Sequence, residues 1–212
     1  MNAVDRRTVI EAFCEECVWL HSIRKHFADL FEFNESRNRL LFEVAGTFFH
    51  DLNLAFIEYI LLQQCKLTDP ASSGTDKDNL TTNFILQLNW TPEAKASLIE
   101  QNAILLRFRA KIVDVRRKLV AHLDLRARLQ TLSFGQFTAS EEAEFWQALQ
   151  SFVNIAHSEA IGGPFEISAT IQEGDVASLV HSLKDSVDYD DLVNQEDGFL
   201  LRRYGQRRYD DA

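Results

Sequence analysis

The sequence predicts an all-α protein, an up-and-down helical bundle of four main helices with a small C-terminal appendage. Two observations carry this. Only eight Gly and three Pro occur in 212 residues, too few for the turn about every ten residues that an all-β sandwich or barrel needs. Apolar side chains also recur at three- and four-residue spacing through long uninterrupted stretches. With 46% apolar and 25% charged residues, the composition excludes a wholly disordered chain.

The first helix is predicted over 5–31, where Ile10, Phe13, Cys17, Leu20, Phe27 and Phe31 form one stripe. Asn34-Glu35-Ser36 supplies a loop with capping side chains. A second helix spans 37–65, with Leu41, Val44, Phe48, Leu52, Ala55, Tyr59 and Leu62 on its buried side, and Asp69 to Gly74 breaks it. A short helix over 80–88 follows. Thr91 then caps a long helix with Pro92 at its first position, where a missing N–H costs nothing. This helix runs over 92–129, about 57 Å at 1.5 Å per residue, too long for a small bundle to cover. The fourth, over 139–160, opens on the capping box Thr138-Ala139-Ser140-Glu141, buries Phe145, Leu149, Phe152 and Ala156, and stops at Gly162-Gly163-Pro164. Residues 1–162 are thus read as the bundle and 163–212 as an extension. In the extension, Phe165, Ile167, Ala169 and Ile171 alternate as a short extended segment, and Asp175 caps a brief helix containing Val176, Leu179, Val180 and Leu183. A tail follows in which Arg202, Arg203, Arg207 and Arg208 interleave with Tyr204 and Tyr209.

The net charge of −10 argues against a whole surface that coats nucleic acid, DNA included, or anionic lipid, and leaves room for a local basic site. No run of eighteen apolar residues is present, so no membrane span is expected. Three cysteines, an odd count in a chain of this length, fit a reducing cytoplasm. Cys14, Cys17 and His21, with Cys65 or His26, form a conceivable ligand set. Structural zinc sites use loops and knuckles rather than one helix face, so buried thiols and no metal or cofactor are expected.

Local charge is distributed differently. Eight cations (Arg107, Arg109, Lys111, Arg116, Arg117, Lys118, Arg126 and Arg128) lie between 107 and 128, offset in sequence only by Asp114 and Asp124. A phosphate-bearing partner would be drawn to that stretch; the plain alternative is the solvated face of a long helix. On the same helix one apolar ladder reads Leu98, Leu105, Ile112, Leu119, and its companion Gln101, Phe108, Val115, His122, Leu129. His122 therefore sits where Leu or Val belongs. The plain alternative is a core histidine bonded across the bundle. Arg116, Arg117 and Lys118 within six residues favour chemistry, because neighbouring positive charge keeps an imidazole neutral near pH 7 and able to move a proton.

The string Arg116-Arg117-Lys118-Leu119-Val120-Ala121-His122-Leu123-Asp124, late in a long helix, resembles the Arg-x4-6-His signature of the HEPN superfamily. Lys66-Leu67-Thr68-Asp69-Pro70 and Asn79-Leu80-Thr81 resemble its abortive-infection type U branch. The resemblance implies a bundle that dimerises and, in catalytic members, metal-independent RNA cleavage in toxin–antitoxin or phage-defence settings. Arg116 and His122 would then be catalytic, although Arg117 satisfies the spacing too. Arg109, Arg117, Lys118 and Arg126 would bind RNA or a nucleotide, and an antitoxin could be a partner. Asp124, and Asp51 with His50, are candidates to orient His122, the alternative for His50-Asp51 being a plain polar pair at a helix edge. A non-catalytic HEPN-like binding or scaffold module is the rival reading. Geometry adds that six residues rotate an ideal helix by about 600°, which leaves Arg116 and His122 about 120° apart. A homodimer with copies of this helix meeting near 109–124 would bring complementary groups into one cleft.

Overall fold

The computed structural model describes residues 5–32, 34–74, 77–115, 137–169 and 174–194. Six helices occupy them: α1 (Arg6–Phe31), α2 (Glu35–Leu67), α3 (Thr82–Ile85), α4 (Pro92–Val115), α5 (Ala139–Ala160) and α6 (Val176–Asn194). Among the described residues there is no strand, only one isolated bridge between Ser72 and Asp78. The all-α class is therefore observed. The described residues fall into two compact units, one drawn from Met1–Lys25 and Ala55–Ile171, the other from His26–Leu54 and Gln172–Ala212.

In the first unit, side-chain contacts give the helix directions. Along α5, Glu142 pairs with Arg24, Trp146 meets His21 edge-on, Phe152 meets Phe13, and the Glu159 carbonyl accepts from Arg6. Numbers rise on α5 as they fall on α1, so the two are antiparallel. The same holds for α4, where Thr91 bonds Glu159 and Arg107 bonds Glu144. Ile10, Phe13, Leu20, Leu98, Leu105, Ile112, Phe145, Leu149 and Phe152 fill the space between, essentially without solvent contact. The ladder read from sequence on the long helix is buried as far as Ile112. Its continuation to 129 lies outside the described residues.

Capping follows the sequence. Thr138 accepts from the Glu141 N–H while the Glu141 carboxylate accepts from the Thr138 N–H, a reciprocal box that satisfies two orphan donors. The Thr91 hydroxyl accepts from Ala94, and Asn34 accepts from Arg37.

Three expectations are corrected. The single stripe on α2 does not exist, because Ala45 (φ −157°, ψ 63°) interrupts the helix and resets the phase of the faces on either side. Val44 and Phe48, placed inside by periodicity, are exposed (38% and 61%), whereas Phe49, Ile60, Leu61 and Cys65 are buried. By length and composition α2 could cross a membrane, but its second half is a core element of the first unit. No strand forms over 165–169. Phe165 and Ile167 alternate inward because side chains of α5, not a neighbouring strand, take their backbone groups. The helix after Asp175 is also not brief. It continues for 19 residues to Asn194, since no Gly or Pro interrupts the polar half that composition marked as tail.

Cys14, Cys17 and Cys65 are buried free thiols. Burial pushes the Cys14 thiol up to about 12 and raises Cys17 well above the usual range, which removes the reactive thiolate at neutral pH. Among the described residues no three His, Cys, Asp or Glu side chains converge on a metal position. A thiol reagent at pH 7.5 is expected to label none of the three in the native protein and all three in urea. Fast native labelling of Cys14 would contradict this.

Candidate functional site

The described end of the basic stretch is the last two turns of α4, and its cations are not bare. Arg107 pairs with Glu144 at 2.9 Å, and Lys111 with Glu141. Arg109 pairs with Asp69, both side chains only about one-fifth exposed (20% and 19%). These three cations, unbalanced along the sequence, are balanced in space by carboxylates from the first turns of α5 and from the loop after α2. The Lys111 bond, then the Thr138 N–H, holds the Glu141 carboxyl below its ordinary range.

Asp69 belongs to a built junction. Thr68 turns its hydroxyl onto the Gln64 and Cys65 carbonyls, which finishes α2. Asn83 in α3 donates to the carbonyls of Thr68 and Asp69 at 3.1 and 3.0 Å and accepts from Asn102 of α4 at 3.0 Å. Asn79 donates to the Pro70 carbonyl, and Thr81 caps α3. The Lys-Leu-Thr-Asp-Pro and Asn-Leu-Thr strings therefore have defined work. They fold the connection between α2 and α3 so that an aspartate reaches the arginine of α4.

Around this pair lies a buried polar cluster that periodicity missed. Gln64, Thr68, Thr81, Thr82 and Asn102 are all less than 5% exposed. Both ends of the Gln64 amide, the Thr82 hydroxyl, Asn102 Oδ1 and Arg109 Nε are buried without a hydrogen-bond partner. Each group so orphaned costs about 1–3 kcal/mol. One signal was available: Asn102 stands at an inward position between Leu98 and Leu105, where an apolar residue is the rule.

Of the residues nominated from sequence, Arg109 is brought to Asp69. Asp51, with its neighbour His50, is exposed on the second unit. Arg116, Arg117, Lys118, His122, Asp124, Arg126 and Arg128, with the Arg–Tyr tail, lie outside the described residues.

The two kinds of pair should separate in urea unfolding. Asp69→Asn leaves a mostly buried guanidinium without its counter-charge and is expected to lower stability by about 1–3 kcal/mol. Glu144→Gln, at an exposed pair, should change it by no more than about 0.5 kcal/mol. Equal losses would remove the distinction.

No curated protein and no solved structure matches the chain. The model of the HEPN family AbiU2 matches residues 5–197. That span contains all six described helices, the Asp69–Arg109 junction and the Arg116–His122 string. The chain belongs to the AbiU2 family of HEPN-like abortive-infection proteins.

Proposed function

We propose that the protein is a metal-independent endoribonuclease of the abortive-infection type, acting as a homodimer in the cytoplasm with Arg116 and His122 as its catalytic groups. The observation that carries this is the family match, which spans an Arg-x5-His string on the chain's most basic segment. Neutral His122 would take the proton from a ribose 2′-OH as that oxygen attacks the adjacent phosphorus. The P–O5′ bond breaks, and the leaving oxygen receives a proton from the imidazolium so formed, which restores neutral His122. Arg116 stabilises the charge gathering on the phosphoryl oxygens. The products are a 2′,3′-cyclic phosphate and a free 5′-hydroxyl. Arg117, Lys118 and Arg126 would hold the strand, with Asp124 beside His122, and an antitoxin would act by covering this segment.

A second reading has its own support. Arg107, Arg109 and Lys111 are each paired with a carboxylate, which suits a protein–protein scaffold better than an open phosphate track. Purified protein incubated with single-stranded RNA in excess EDTA tests the choice. Cleavage that persists in chelator and leaves cyclic-phosphate ends is the expected result. Activity that requires added zinc or magnesium would overturn the metal-free mechanism. No cleavage of total cellular RNA at any protein concentration would favour the scaffold.

A further inference from the structure

Away from the basic segment, the first unit has a cleft of about 370 Å³ lined by His21 of α1, by Trp146, Gln147, Gln150 and Ser151 of α5, and by Glu166, Ile167 and Ser168 of the loop that follows. We propose that this cleft binds an organic cation that carries N–H donors, an alkylguanidinium in particular, and this inference stands independently of the nuclease reading.

The loop wall is preformed. Both ends of the Gln150 amide are committed to it, donating to the Phe165 carbonyl at 2.7 Å and accepting from the Ile167 N–H at 2.9 Å. Asn154 takes the Phe165 N–H at 3.0 Å. His157 and Ser158 both meet the Gly163 carbonyl at 3.0 Å, and Gly162 and Gly163 make the turn at positive φ, where a side chain would be strained. Ile167 is buried at the base. A site fixed before its ligand arrives loses little to ordering on binding.

The wall's chemistry selects the ligand. Glu166 is its one formal charge. Ser168 donates to Oε1 with both its N–H and its hydroxyl, which orients the carboxylate and leaves Oε2 for another donor. Across from it, His21 Nδ1 is buried with no hydrogen-bond partner. Burial chiefly, with Arg24 and Lys25 adding to it and Glu166 opposing, lowers the His21 pKa. The ring is therefore neutral at pH 7 and does not repel a cation. Trp146, edge-on to His21 with centroids 5.8 Å apart, adds an indole surface, the aromatic partner best suited to a cation. The nearest guanidinium on α1, Arg24, is held by Glu142 at 2.6 Å and lines no part of the cleft. Carboxylate, neutral imidazole and indole around one cavity suit a planar, positively charged donor better than an anion.

Titration calorimetry at pH 7.5 with butylguanidinium and its neutral isostere butylurea tests the charge requirement. Saturable one-to-one binding of butylguanidinium, at least about tenfold tighter than butylurea, is expected. Glu166→Gln, a substitution at an exposed loop position, should remove about that factor without moving the melting temperature. His21→Ala should weaken binding as well. Blocked arginine amide and agmatine distinguish the sources. Tighter binding of the blocked amino acid marks a protein side chain as the natural ligand, and tighter binding of agmatine marks a free amine. No saturable binding of any guanidinium, equal affinity for butylurea, or undiminished affinity in Glu166→Gln would overturn the proposal.

Discussion

His122→Ala is expected to lower RNA cleavage by about 10²–10⁴-fold, the usual contribution of one positioned proton-transfer group, and to leave the unfolding midpoint within about 1 °C of wild type. Induction of wild-type protein should arrest growth, and induction of the variant should not. Arg116→Ala should produce a comparable loss by removing charge stabilisation at the phosphoryl oxygens. Arg117→Ala should cost less and act mainly through KM. The reverse ranking would move the motif arginine to Arg117. Because an ideal helix aims Arg116 and His122 about 120° apart, the two inactive variants mixed as heterodimers should regain part of the activity, each supplying what the other lacks. Heterodimers that form but stay inactive would place both groups on one chain. A His122→Ala protein as active as wild type would leave the histidine as a core residue and remove the catalytic reading.

Legibility varied along the chain with the physics that dominated each segment. Where one long helix buries one face, periodicity sufficed. Leu98, Leu105 and Ile112 are all fully buried, and the Thr138–Glu141 box forms as its spacing required. Where the backbone departs from regular helix, periodicity misled. The break at Ala45 exposes Val44 and Phe48, and nothing in a hydropathy pattern encodes a dihedral angle. The partners of Arg107, Arg109 and Lys111 were illegible for a related reason. Along the sequence Arg109 has no neutralising neighbour, yet Asp69, 40 positions away, reaches it through a loop whose fold depends on Asn79 and Asn83. Motif resemblance pointed to Asp69 and Asn79, though not to Asn83, without saying what they do. Their work is to hold α2, α3 and α4 together. The cleft at His21 was invisible because it needs three segments, one of them the 166–168 loop read as part of a short extended segment.

Phe152→Ala should be the most damaging core substitution, costing about 3–5 kcal/mol in urea unfolding. Phe152 is completely buried at the middle of α5 and meets Phe13 of α1 at 5.9 Å in an edge-to-face pair. Removing the ring takes apolar area out of the core and leaves a void where α1 packs on α5. Phe152→Leu, which keeps most of the volume, should cost under about 1.5 kcal/mol. With Phe13→Ala added, the double variant should lose less than the sum of the singles by about 0.5–1.5 kcal/mol, the increment of an aromatic pair. The same variants separate stability from chemistry. Phe152→Ala should lose activity only in proportion to the fraction unfolded and recover it on cooling toward the temperature of maximum stability. His122→Ala should be inactive while fully folded. If Phe152→Ala unfolds no more easily than Phe152→Leu, the α1–α5 contact is not the centre of the core, and the antiparallel packing of α1 on α5 would need revision.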